Sequence, residues 1–268
     1  MPEDYAFEVA VASHVGTERR ENEDSHGQLR ESPTAGLVVV ADGVSGLAGG
    51  EAASQRAVES TLRTYQELGE MRAARRLQRA VQQANIEVYD LAVVVPELAG
   101  MATTLTAMGI ERGTLVAAHV GDCRLYLVRR GRIRQLTKDH TVAGERVRLG
   151  LLSETRARHH PDRSVLTRAI GRELIVAIDR ISTPLVQEDR LVLCSDGLYN
   201  VLGDLALEAI VRDQPAEAAC RALIDSANAR GTPDNLTAAV VHLTGATPAH
   251  RTPVGLRERL ARLVRRDA

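Results

Sequence analysis

Short apolar runs alternate along this chain with stretches of helical spacing. Residues 7–15 and 37–41 predict strands, and Leu37-Val38-Val39-Val40-Ala41 is apolar throughout, so it has no face to give to solvent. After Gly49-Gly50, the residues Ala53, Ala57, Thr61, Leu62 and Tyr65 recur at helical spacing and predict a helix over roughly 50–67. Leu77, Ala80, Val81, Ala84, Ile86, Val88 and Leu91 predict a second helix ahead of Pro96. Strand patterns follow at 103–110, 114–120, 124–129 and, past the Arg130-Gly131 turn, 132–136. Further strands are expected at 175–181, 190–194 and 236–243, with helices near 204–211 and 215–230. The switch between the two periods places helices on the faces of sheets.

Six acidic residues sit where those apolar runs begin or end. The run 37–41 leads into Asp42-Gly43, 115–120 into Gly121-Asp122, and 191–194 into Ser195-Asp196-Gly197. Asp234-Asn235 opens the last run, and Glu23-Asp24 follows the first. If the runs are antiparallel strands, outgoing strands end and returning strands begin at one edge, and the acids converge there. Converging carboxylates repel, and burial raises their pKa values unless cations neutralise them. Hard divalent ions with oxygen ligands meet that need, so the pattern points to a metal-centred enzyme.

Composition narrows the class. A chain of 268 residues can bury a large core, and 34 Lys+Arg against 35 Asp+Glu exert no global pull on nucleic acid. Aromatics make up 2% with no Trp, which disfavours stacking platforms and leaves the core to Val, Leu, Ile and Ala. Cys123, Cys194 and Cys220 form no C-x-x-C pair, so neither a disulfide framework nor a zinc site is expected. Met1 to Glu8 lacks a basic start and an apolar stretch, and no run approaches the ~18 residues of a membrane span. A cytoplasmic location is the expectation.

Two segments stand apart. Residues 138–172 carry eight Lys and Arg against four Asp and Glu, a net +4, with one weak helical stretch around 143–152. An insertion of this kind between strands reads as a flap that screens substrates, with Arg156 and Arg158 as its expected contacts. Residues 244–268 form a basic tail with Leu256, Leu260, Leu263 and Val264 at helical spacing; it reads as a segment that frays in solvent or caps the domain, ahead of one that touches a partner or a membrane surface. The division expected is therefore a unit over 1–243 and a tail over 244–268.

Six motifs then carry a resemblance. Gly16-Thr17-Glu18-Arg19-Arg20-Glu21-Asn22-Glu23-Asp24 resembles the opening G-x-x-R-x-x-N-x-D of the metal-dependent protein Ser/Thr phosphatases, the PPM or type 2C family in its bacterial form. Ala41-Asp42-Gly43-Val44-Ser45-Gly46 through Gly50-Glu51, then Ala102-Thr103-Thr104-Leu105 and Val120-Gly121-Asp122-Cys123-Arg124, are similar to its next three motifs. Cys194-Ser195-Asp196-Gly197-Leu198 and Pro233-Asp234-Asn235-Leu236-Thr237 are similar to its last two. Order and spacing agree over residues 7–243.

The resemblance implies an α/β fold of the α+β layered kind, a four-layer αββα sandwich with two central antiparallel sheets. It implies metal-dependent hydrolysis of phosphoserine and phosphothreonine in proteins, with a metal-bridging water attacking phosphorus in line. Two Mn²⁺ or Mg²⁺ ions would be bridged by Asp42, with Asp196 and Asp234 on the first and the Gly43 carbonyl on the second. Glu23 and Asp24 would complete the site through coordinated waters, and Asp122 matches the acid of a third, weaker ion. Arg19 would grip the substrate phosphate, since a guanidinium matches two phosphate oxygens. The substrates implied are phosphoproteins, those of a partner Ser/Thr kinase.

Departures and rival readings accompany it. Val44 and Leu47 stand where relatives carry a His, so no general acid is assigned; His140, His159 and His160 lie in the insertion. Cys123 replaces a commoner Ser and reads as a packing residue ahead of a redox switch. The alternatives are a phosphoprotein-binding regulator of weak or no activity and a two-metal nuclease, the latter disfavoured by charge and composition.

Overall fold

A computed structural model describes residues 4–44 and 49–246. Ten strands form two antiparallel five-stranded sheets. The first pairs β1 (Tyr5–His14), β10 (Leu236–Ala246), β9 (Arg190–Cys194), β6 (Arg124–Arg129) and β7 (Arg132–Gln135), in that order. The second pairs β2 (Asp24–Ser32), β3 (Ala35–Asp42), β4 (Leu105–Glu111), β5 (Thr114–Val120) and β8 (Asp179–Pro184).

Strand alternation explains the layers. In β3, Val38 and Val40 point between the sheets and pack with Leu125, Leu193 and Val241. Leu37, Val39 and Ala41 point the other way, onto helices α1 (Gly50–Glu67) and α2 (Ala73–Val94). In β10, Ala239, Val241 and Leu243 enter the inter-sheet layer, while Leu236, Ala238 and Val240 meet α7 (Ala216–Ala229) and α6 (Asp204–Val211). Both faces of the inner strands are thus buried, as their unbroken apolar runs require, and the order of layers is α, β, β, α. Alanines at the helix faces, among them Ala53, Ala57, Ala80, Ala219 and Ala227, let the helices sit close where few aromatics are available to fill space.

Both long early helices fall where their spacing places them. Three elements differ from expectation. β2 is a strand although its sequence is polar, because it lies at a sheet edge and needs apolar residues on one face only. The strand expected at 175–181 is β8, at Asp179–Pro184; Leu174 and Ile175 are exposed and belong to a loop. The insertion holds two short helices rather than one, α3 (Val142–Arg148) and α4 (Glu154–Ala157), capped by the side chains of Thr141 and Ser153. β10 continues to Ala246, opposite Tyr5, and the rest of the basic tail lies outside the described residues. Among the described residues no helix is long and apolar enough to cross a membrane.

Candidate metal centre

Strand ends bring the acids to one edge. Asp24 begins β2 and Asp42 ends β3, and the two are direct antiparallel partners. Val120, the last residue of β5, is paired with Leu105, which opens β4, so Gly121-Asp122 turns away at that edge. In the other sheet β9 ends at Cys194, opposite Ala238 near the start of β10, which sets Asp196 beside Asp234. Asp24 and Asp122 are buried there, and Asp42 and Asp196 are half-buried.

Their electrostatics follow from that crowding. Burial and then the charges of Asp24, Asp196, Asp122 and Asp234 hold Asp42 well above the usual carboxylate range. Burial and Asp196 do the same for Asp122. Asp24 is pushed up to about 7 by burial, with Ser195 and Thr237 pulling the other way by donating hydroxyls to its Oδ2, each at 2.7 Å. Asp196 rises to about 6, from burial and the neighbouring Asp234.

The donor set suits hard divalent cations. The converging side chains offer carboxylate oxygens, and among the described residues Asp24 Oδ1 is buried with no hydrogen-bond partner. Among the described residues no three His, Cys, Asp or Glu side chains stand close enough to enclose an ion as they are. The reason is visible in their partners. Arg19 donates to Asp234 at 3.0 Å, Asn200 to Asp196 Oδ2 at 3.1 Å, and Asp24 faces its two hydroxyls. Asp234, Asp196 and Asp24 thus each face a local donor. Among the described residues the Asp42 Oδ atoms meet no such donor, and its backbone is clamped. Thr104 Oγ1 accepts from its N–H at 3.0 Å, and its carbonyl accepts from Thr104 N at 2.8 Å and Thr103 Oγ1 at 2.8 Å.

Gly43 sits in a space that a side chain would fill. A Cβ there would stand 2.4 Å from the Gly50 carbonyl oxygen and 2.9 Å from that of Glu23. Its N–H donates to the Glu23 carbonyl at 3.1 Å, which joins the first and second motifs. Glu23 itself lies 3.8 Å from Arg19 Nη1. Arg19 therefore stands at the rim between Glu23 and Asp234, half-exposed, while Arg20 is exposed and takes no part.

Several supporting residues were not singled out from sequence. Asn235 accepts from Glu23 N at 2.8 Å and donates to the carbonyls of Val15 and Glu21 at 2.9 Å, stapling the first motif to the last. Its place beside Asp234 in the sixth motif was the available signal. Arg124 is held by Asp139 at 2.6 Å and lies 3.7 Å from the ring centre of Tyr199, at the end of α5 (Asp196–Tyr199). His140 does not project into the reacting edge as its place in the insertion suggested. It is buried behind the Gly121-Asp122 turn, accepting from Gly121 N at 3.1 Å and stacked 4.6 Å from His119. Its Nε2 approaches Asp179 Oδ2 at 3.2 Å without hydrogen-bond alignment. Cys123 is fully buried beside Thr104 Oγ1 at 3.2 Å, and burial pushes its thiol well up, against a reactive thiolate. All three cysteines are buried and free. Leu47 lies outside the described residues.

Comparison with known proteins shows the family. Residues 12–240 match the family described as Protein phosphatase 2C. Serine/threonine phosphatase stp of Listeria innocua is 35% identical over 231 residues, covering 84% of this chain and 92% of that protein. Serine/threonine protein phosphatase PstP of Mycobacterium tuberculosis is 35% identical over 249 residues, 91% of this chain and 46% of that longer protein. The crystal structure of that phosphatase superposes with a TM-score of 0.81 at 31% identity, over 90% of this chain and all of the other. A structure of the catalytic domain of PstP in complex with two manganese ions matches with a TM-score of 0.79 at 29% identity, over 90% and 99%. The chain belongs to the protein phosphatase 2C family and is a protein-serine/threonine phosphatase.

Proposed function

We propose that this protein hydrolyses phosphoserine and phosphothreonine in proteins with two divalent cations, Mn²⁺ or Mg²⁺, held at the shared sheet edge. The observation that carries the reading is Asp42: a half-buried acid ringed by Asp24, Asp122, Asp196 and Asp234, with its backbone clamped and its carboxylate without a donor among the described residues. Asp42, Asp196, Asp234 and the Gly43 carbonyl would hold the ions, with Asp42 central to the set. Glu23 and Asp24 would support them through coordinated waters, and Asp122 would serve a third, weaker site. When bound, the ions supply an activated water and neutralise charge during in-line displacement at phosphorus.

The remaining work falls to the chain. Ser195 and Thr237 fix the Asp24 carboxylate, and Asn235 keeps Glu23 and Asp234 in one place. Arg19 swings from Asp234 to the phosphate oxygens, exchanging one anionic partner for another. The catalytic unit spans 1–243 with the flap at 138–172, and its substrates are the products of a Ser/Thr kinase. The test is hydrolysis of a phosphothreonine peptide with Mn²⁺. Loss of activity in EDTA and in Asp42→Ala is expected; activity that survives both overturns the reading.

A further inference from the structure

Between the flap and the acidic edge lies a cavity of about 850 Å³, of the size that takes a substrate segment. Asp122 and Asp196 are among its lining residues, so the cavity is continuous with the candidate metal centre. Its cations divide into two groups. Arg124 is committed to Asp139 at 2.6 Å, Arg158 to Asp204 at 2.9 Å, and Arg148 to Glu145 at 2.7 Å. Lys138 and Arg163 also line the cavity, both are exposed, and neither side chain has an ion-pair partner among the described residues. Against these two stands one uncommitted acid outside the metal centre, Glu154. Arg156, which sequence alone marked as a substrate contact, does not line the cavity, and Arg158 is already paired.

The geometry points to Lys138 and Arg163 as a subsite for a second anionic group, a carboxylate or a second phosphate, on the peptide that flanks the phosphorylated residue. This rests on the phosphatase reading and names a substrate feature within it. A neutral lining would leave the flap indifferent to flanking sequence. Two unpaired cations beside the centre make it favour acidic or multiply phosphorylated segments instead.

The test uses the full chain loaded with Mn²⁺ and four substrates. These are a small aryl phosphate, a phosphothreonine peptide with neutral flanks, and two versions of that peptide. One version carries Glu, and the other a non-hydrolysable phosphonate, at flanking positions scanned one at a time. For the unaltered protein, a gain in kcat/KM of about five- to tenfold is expected for an anion-bearing peptide over the neutral one. Lys138→Ala with Arg163→Ala should reduce that ratio to about one, whereas Arg156→Ala should leave it in place. A gain with Glu and with phosphonate, or with phosphonate alone, supports the subsite and identifies the group it takes. No preference in the unaltered protein, a preference that survives the double substitution, or an equal loss on the aryl phosphate each overturns it. Absence of turnover on all four substrates marks failure of the phosphatase reading itself, and the subsite falls with it.

Discussion

Arg19 and Asp234 are 215 residues apart in the chain, yet the guanidinium of one donates to the carboxylate of the other at 3.0 Å. Both are about one-third exposed, so the pair is screened by solvent and cheap to break. Arg19 thereby occupies the charge that a cation would otherwise meet at Asp234. Arg19→Ala should lower kcat/KM on a phosphopeptide by about ten- to a hundredfold, while Mn²⁺ binds no more weakly than before. Steady-state kinetics with Mn²⁺ titration separate the two. Weaker metal binding with unchanged kcat/KM contradicts the assignment.

Asp42→Asn removes a half-buried charge that its neighbours oppose. The metal-free protein should gain about 3 °C or more in thermal midpoint, because the native acid must be neutralised on folding and the amide need not. Hydrolysis should fall by more than about a hundredfold, beyond the loss expected of a mere supporting group. Scanning calorimetry and an activity assay on one preparation read both.

The raised acids outweigh His119, whose pKa burial lowers to about 4 and which alone would make stability rise with pH. Asp24 and Asp196, at about 7 and about 6 in the folded chain, bind protons more tightly than they do unfolded. Their contribution to stability is complete below the unfolded value, near 4, and is lost as pH rises through 6 and 7. The metal-free protein should therefore melt lower at pH 7.5 than at pH 5. Saturating Mn²⁺ should raise the melting temperature most at the higher pH, where the carboxylates are free to bind. A metal-free melting temperature that rises over this interval contradicts the crowding of the acids.

Gly16 tests the scaffold beneath the site. Its φ is +82°, and a Cβ would lie 2.1 Å from the Asp234 carbonyl oxygen. Gly16→Ala should cost about 2–4 kcal/mol in urea unfolding, from strain and displacement of the Asp234 loop. Gly203, with nothing within 4 Å of a built Cβ, is the control; Gly203→Ala should stay within about 1 kcal/mol.

What could be read from sequence depended on which force decided each element. β3 was legible because burial on both faces demands an unbroken apolar run, and α1 because one apolar stripe meets the sheet. β2 was not, since its edge position lets polar residues such as Gln28 and Arg30 face outward. The acids were legible from their place at strand ends, and the register Asp24 to Asp42 is the geometric expression of that pattern. The Thr104 clamp, the Asn235 staple and the pairing of Arg158 with Asp204 depend on tertiary contacts that no spacing encodes. The same holds for the choice of Lys138 and Arg163 over Arg156.

The most direct test is anomalous diffraction from crystals of the unaltered protein grown with Mn²⁺. Two peaks flanking the Asp42 carboxylate are expected, one of them also within coordinating distance of Asp196 and Asp234. An active protein with no peak beside Asp42 would contradict the account.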